Sequence, residues 1–188
     1  MGARLAAERR KFTADEVERM VAAGILGADE PVELLDGELV VVSPQGVAHA
    51  ALTSALASMF AEAYASAAHP RVQTPIDAGP RSRPEPDVAV ARGRPRDYLE
   101  RHPGGADLLL VVEVAVSTLA DARRKLPIYA RAGVAVVWVL DVRRRRLEVH
   151  TAPDPRGAYG ATTALGDDDR VALPRRRGTR WRVADLLP

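Results

Sequence analysis

The longest apolar stretch in the chain, Leu108 to Val116, is interrupted once, by Glu113. Hydrophobicity without alternation marks a strand covered on both faces, so this segment is predicted to be the centre of a sheet. Val134 to Leu140 reads the same way, and Leu147 to His150 is its returning strand across the charged turn Arg143 to Arg146. Val72 to Ile76 and Val88 to Ala91 read as two shorter strands. The helical period appears in three places. Between Ala48 and Ala67, Leu52, Leu56, Met59, Phe60, Ala63 and Ala67 recur at helix spacing, with His49 on the inward side of the first turn. A second helix opens at Ser117 or Thr118 with Asp121 following, stops at Gly133, and turns Leu119, Ala122, Leu126 and Tyr129 inward. Pro127 is expected to kink it or to push its regular part later. The third helix, Thr13 to Ala23, is short, with a capping-box spacing at Thr13 and Glu16 and a stop at Gly24.

Val32 to Ser43 reads as two apolar-rich strands separated by Asp36-Gly37, the strongest hairpin signal present. In a two-residue hairpin Leu35 opposes Glu38 and Glu33 opposes Val40. Glu33 then shares a face with Leu35, Val40 and Val42, either at a site or on an exposed edge. After Thr151 the pattern weakens to a loop-rich tail, with edge pairing expected around Thr162 to Leu165 and Val171 to Leu173. The element order predicts an α/β fold with a mixed central sheet flanked by helices.

Composition narrows this picture. With 188 residues, 47% of them apolar, the chain can build one sizeable core. Residues 1–11 read as a flexible arm and 12–188 as a single domain, its core at about 32–150 and an extension at 151–188. There is no cysteine, which excludes a disulfide framework and thiolate ligation, so any metal must be held by oxygen or imidazole. No apolar run has bilayer or signal-peptide length, and the expectation is a cytoplasmic protein without a membrane partner. The 27 basic and 25 acidic residues leave a net charge of +2, a weak pointer to nucleic acid. Only Lys11 and Lys125 are lysines; every other base is arginine.

The chemistry rests on two acids. Asp87 opens a strand directly after Pro86, and Glu113 lies inside the central one. A carboxylate within such a run loses several kcal/mol of hydration unless it is paired or metal-bound. Carboxylates and a backbone carbonyl on neighbouring strands suit a hard cation such as magnesium. Lys125 flanks the inward stripe of the second helix and can reach toward Glu113, where an ammonium could orient or help deprotonate an attacking water while the metal acts as Lewis acid. As a flanking residue it should be removable with little effect on stability. Each residue also has a plainer reading: Glu113 a core acid paired with arginine, Asp87 a turn residue, Lys125 a solvated base, His49 a ring satisfied by backbone, and Arg143 to Arg146 a solvated hairpin tip.

Pro86-Asp87 followed by Glu113-Val114-Ala115 resembles the PD-(D/E)XK nuclease superfamily. The lysine expected two residues after the glutamate is absent, since Ala115 stands there. Glu33-Leu-Leu-Asp-Gly-Glu-Leu39, Pro84-Glu-Pro-Asp87, Val111-Val-Glu-Val114, Lys125 to Gly133 and Trp138-Val-Leu-Asp141 together resemble the Uma-two restriction endonuclease family, in which the lysine has moved to the following helix. The resemblance spans roughly residues 12 to 150. It implies a restriction-endonuclease-like fold and a metal-dependent endonuclease with DNA as substrate; a homodimer is expected because two sites related by a two-fold axis most easily cut both strands of a duplex. It carries catalysis onto Asp87, Glu113 and Lys125 and places magnesium, or manganese in its stead, on Asp87, Glu113 and the Val114 carbonyl. Glu33 and His49 would line the same cleft and position water. Ala115-Val-Ser-Thr118 departs from the more polar turn expected after the glutamate. The competing class is a catalytically silent module on the same scaffold, binding nucleic acid or a protein partner.

Overall fold

The computed structural model describes residues 9–42, 44–117 and 119–188. Most of the arm expected over residues 1–11 therefore lies outside the described residues, as do Ser43 at the end of the predicted hairpin and Thr118 at the predicted helix start. The elements follow in the order α1 (Ala14–Ala22), β1 (Val32–Leu35), β2 (Glu38–Val41), α2 (Val47–Tyr64), β3 (Ala68–Val72), β4 (Val88–Arg92), β5 (Leu108–Ala115), α3 (Ala120–Arg131), β6 (Val136–Asp141), β7 (Arg146–Pro153), β8 (Tyr159–Leu165), β9 (Arg170–Ala172) and β10 (Arg180–Arg182). Six strands form the central sheet in the order β3-β4-β5-β6-β7-β8. β5 and β6 run parallel, joined over the sheet by α3, and the other neighbours are antiparallel. This is the mixed α/β architecture that the element order predicts. No helix among the described residues is long and apolar enough to cross a membrane.

Strand alternation divides the core into two layers. Val90, Val112, Val114 and Trp138 face α2, where Phe60 meets Trp138 with ring centroids 5.9 Å apart. Ala89, Val111, Val137 and Val139 face α3 and pack on Ala122 and Tyr129. By the same parity Glu113 looks toward α3, and Asp87, two residues ahead of Ala89, lies on that side as β4 begins.

The N-terminal third holds the hairpin against the sheet. Thr13 caps α1 through the predicted box with Glu16. β1 and β2 pair in the expected register, Glu33 opposite Val40 and Leu35 opposite Glu38. Asp36 and Gly37 both take positive φ, +50° and +80°, as a type I′ turn demands. The turn is pinned from outside: the Gly37 N–H donates to the Arg81 carbonyl at 2.7 Å, the Asp36 N–H to Ser82 Oγ at 3.0 Å, and the Arg83 N–H to the Leu34 carbonyl at 2.8 Å. Those bonds place β1 alongside the segment that leads into Asp87.

Three expectations differ from the structure. α2 ends at Tyr64, with Ala65 at φ +46°, and β3 occupies Ala68–Val72 in place of the predicted Val72 to Ile76. Pro70 is tolerated in β3 because β3 is the sheet edge, where a missing N–H goes unmissed. The tail is less loop-rich than read: β8 is the sixth strand of the main sheet, and Val171, Leu173, Val183 and Leu186 are buried in the α2-side core. Its alternation is masked because β8 is largely exposed on both faces. Finally, α3 starts at Ala120, with Leu119 at its cap position and no side-chain cap, and continues through Pro127 to Arg131.

Gly37 gives a direct test of how the hairpin is seated. A Cβ there would lie 2.8 Å from the Lys11 Cβ and 3.1 Å from the Phe12 carbonyl oxygen, on a backbone already at positive φ. Gly37→Ala is expected to lower unfolding free energy by about 1–3 kcal/mol in urea titration, whereas Gly24→Ala, also at positive φ but with nothing near its Cβ, should cost only the lower end of that range.

Candidate active site

The end of β5, the start of β4, the first turn of α2, the hairpin and one face of α3 enclose a cleft of about 760 Å³. Asp87, Glu113, Lys125, Glu33 and His49 all line it, together with Val114 and Glu85. Each arrives for a local reason. Pro84 and Pro86 hold the lead into β4 extended, which sets the Glu85 backbone and Asp87 side by side. Ala122, Lys125 and Tyr129 recur three and four residues apart along the buried face of α3. Lys125 is therefore inside the inward stripe, only 8% exposed, and not on its flank as spacing alone suggested.

Two linked networks fill the cleft wall. Lys125 Nζ donates to Glu33 Oε1 at 2.9 Å and to the Glu85 carbonyl at 2.8 Å, and lies 3.6 Å from Glu113 Oε1. Tyr129 donates its hydroxyl in a short hydrogen bond to the same Glu113 oxygen. Glu33 is held in turn by the Glu85 N–H at 3.2 Å. The second network centres on Asp87, whose Oδ2 accepts the Val114 N–H at 2.7 Å and faces His49 Nε2 at 3.1 Å. His49 reaches from α2, on the opposite face of the sheet, around the strand ends to Asp87. Tyr129 and Glu85 are additions to the predicted set. Tyr129 had been counted as stripe; its position four residues after Lys125 on one helix face was the available signal.

Burial pushes the Glu113 carboxyl up to about 8, with the neighbouring Asp87 and Glu33 charges adding to it and Lys125 and the Tyr129 hydroxyl opposing. Burial alone would lower Lys125, but Glu113 and Glu33 more than offset it and hold the ammonium above the usual lysine range. The ammonium is the favoured form of Lys125 in this cleft. His49 is raised by its bond to Asp87, against burial, with the Glu113 charge and the Val114 carbonyl helping. Glu85 is raised by burial and then by Glu33.

Whether this donor set suits a divalent cation can be judged from what remains unengaged. Glu113 Oε2 and Asp87 Oδ1 have no protein donor among the described residues, and the Val114 carbonyl faces the same space. Among the described residues no three His, Asp or Glu side chains group as a metal-holding set. Two carboxylates and a carbonyl leave several positions for water and substrate oxygen, the usual way magnesium is bound. The residues fit that ion and would not make an all-protein cage.

The family model for Uma2, described as putative restriction endonuclease, matches residues 14–183. The chain belongs to the Uma2 family. The match runs past residue 150 and so includes the tail that the motifs did not cover. A crystal structure of a putative nuclease of DUF820 from Anabaena variabilis ATCC 29413 is similar, with a TM-score of 0.74, 17% identity, and coverage of 93% of this chain and 97% of that one. At that identity the likeness shows a shared fold. No curated protein matches the chain.

Two measurements follow from the charges in this Uma2 cleft. A carboxyl raised in the folded state binds more protons folded than unfolded, so Glu113 contributes stability that is lost as pH rises from 4.5 through about 8. His49, also raised, changes stability in the same direction as pH passes its folded value. In chelator-containing buffer Glu113→Gln should show a shallower fall of melting temperature across that window than the parent. The burial of Lys125 also overturns the expectation that its loss is neutral for stability. Lys125→Ala strands Glu33 and Glu113 and should cost about 3–5 kcal/mol in urea unfolding, with Glu33→Gln in the same chain recovering part of that loss.

Proposed function

We propose that this protein is a metal-dependent endonuclease that hydrolyses phosphodiester bonds in DNA. The observation that carries the reading is the convergence, in one cleft of a nuclease-family fold, of Asp87 and Glu113 with unengaged oxygens and a lysine fixed between Glu33 and Glu113. Asp87, Glu113 and the Val114 carbonyl would hold Mg²⁺, or Mn²⁺ in its place, and the bound ion supplies Lewis-acid polarisation of a phosphoryl oxygen.

The chain's own groups divide the remaining work. Lys125, favoured in its charged form by its two glutamates, sets positive charge where a phosphorane accumulates negative charge and orients the attacking water. Tyr129 fixes one oxygen of Glu113 and turns the other to the cleft. Glu33 fixes Lys125. His49 holds Asp87 against the Val114 N–H and keeps the carboxylate at the end of β4. A two-fold homodimer would present two such sites to the two strands of a duplex.

Supercoiled plasmid and labelled oligonucleotides, incubated with Mg²⁺, Mn²⁺ or chelator, test the reading. The parent should nick and linearise DNA only with the cations. Asp87→Asn, which keeps shape but loses charge, is expected to lower the rate at least a hundredfold without lowering the melting temperature. Lys125→Arg should be equally poor, since the larger fork cannot enter a slot already closed by Glu33 and the Glu85 carbonyl. A parent that binds DNA and never cuts it would transfer the case to a silent binding module.

A further inference from the structure

As a seat for a polyanion the cleft is short of positive charge. Five acidic side chains line it, Asp121 among them, against two bases besides His49, namely Arg124 and Lys125. Lys125 is engaged by Glu33 and Glu113, and Arg124 reaches Glu38 at 3.3 Å. A divalent cation would bring that balance near neutrality, not to the excess of positive charge that draws in a phosphate backbone. The attraction has to come from beside the cleft.

The sheet puts an arginine run there. Ala115, in the cleft wall, pairs with Asp141 on β6, and Asp141 pairs with Arg146 on β7. Neighbouring strands stand about 4.8 Å apart, so the Arg146 backbone is about 10 Å from that of Ala115, roughly three 3.4 Å nucleotide steps along a duplex. It also presents the matching face. Glu148, two residues further along β7, accepts from Arg123 of α3 at 2.9 Å, and alternation puts Arg146 on the same side of the sheet as Glu148 and Glu113. Arg143, Arg144 and Arg145 lie in the turn between β6 and β7, and all four arginines are exposed.

Two of the four have work in the fold. Arg144 donates its backbone N–H and its guanidinium to Asp141, and Arg145, at φ +50°, bonds Asp167 and the Pro188 carbonyl. The side chains of Arg143 and Arg146 have no hydrogen-bond or carboxylate partner among the described residues. They are the uncompensated positive charge on this rim, and closing the turn does not require them. We propose that Arg143 and Arg146 form a docking surface for the phosphate backbone of duplex DNA, gripping the duplex on the β6–β7 side of the cleft while Asp87 and Glu113 meet the scissile group. The inference rests on the nuclease reading and adds the place where its substrate is held.

The test is fluorescence anisotropy of a labelled DNA duplex in Ca²⁺, which permits binding without fast turnover, repeated across a range of salt. Each phosphate contact contributes about 0.9 to the slope of log K against log salt. Arg143→Gln and Arg146→Gln in one chain should therefore lower that slope by about 1.8 and weaken binding at least tenfold near physiological salt, equally for unrelated sequences and at unchanged melting temperature. In Mg²⁺ the KM for cleavage should rise with kcat within about threefold of the parent. Arg94→Gln with Arg96→Gln removes the same charge at the other end of the strands, where β4 leaves the sheet beside the start of β5, and should keep the parental slope and affinity. A parental slope in the 143 and 146 double variant, or an equal loss in the 94 and 96 control, would overturn the proposal and leave the nuclease reading intact. A parent that shows the expected slopes yet never cuts would keep the docking surface and remove the nuclease reading. A parent that binds no duplex would overturn both.

Discussion

A carboxylate in the middle of the most buried strand is the constraint around which this protein is arranged. Glu113 sits among residues that exclude water on both faces of β5, and an isolated charge there would be worth far less than a neutral side chain. Three groups make it tolerable: the Lys125 ammonium, the Tyr129 hydroxyl, and a proton of its own, which burial favours up to about pH 8. Two of the three come from α3, so the helix that covers the sheet also supplies the compensation for its one buried acid. Buried charge clusters of this kind are often no more stabilising than well-packed apolar residues of similar volume, so the presence of this one points to chemistry more than to folding.

Lys125 in turn depends on elements distant in sequence. Its other partners are Glu33 on β1 and the Glu85 carbonyl ahead of β4. The hairpin reaches that position because its type I′ turn is bonded to Arg81 and Ser82, and Glu33 is aimed by the Glu85 N–H. The short N-terminal hairpin, outside the main sheet, thus behaves as a bracket that fixes the charge and direction of a lysine on a helix some 90 residues later in the chain. His49 does the same for Asp87 from the opposite face. The cleft lies where the two layers meet at the strand ends, the one place from which side chains of both can reach the same carboxylates.

Much of this was readable beforehand wherever the pattern is local. The Asp36-Gly37 turn determined the hairpin register and hence the side of Glu33; the unbroken run around Glu113 marked the central strand; Thr13 and Glu16 marked α1. Errors arose where tertiary context overrides local signals. β3 contains a proline that only an edge position allows, and β8 is exposed on both faces and so lacks the alternation that would have revealed it. Spacing from Ala122 and Tyr129 puts Lys125 at the flank of the buried stripe, whereas the structure puts it inside. Its burial follows from Glu33 and Glu113, which no helical periodicity encodes.

The departure of this chain from the usual strand motif has a geometric rationale. A lysine two residues after Glu113 would share its face of β5, since side chains alternate along a strand. That position is Ala115, buried and lining the cleft. With a methyl group there, the volume in front of Glu113 is open to a side chain from α3, and Lys125 fills it from the other side of the gap. The two solutions deliver an ammonium to one place by different routes. A strand lysine is aligned by the sheet itself, whereas a helix lysine has a long free stem and must be aligned by something else. The Glu33 carboxylate and the Glu85 carbonyl supply that alignment here, so moving the lysine to the helix makes the hairpin acid a necessary part of the site.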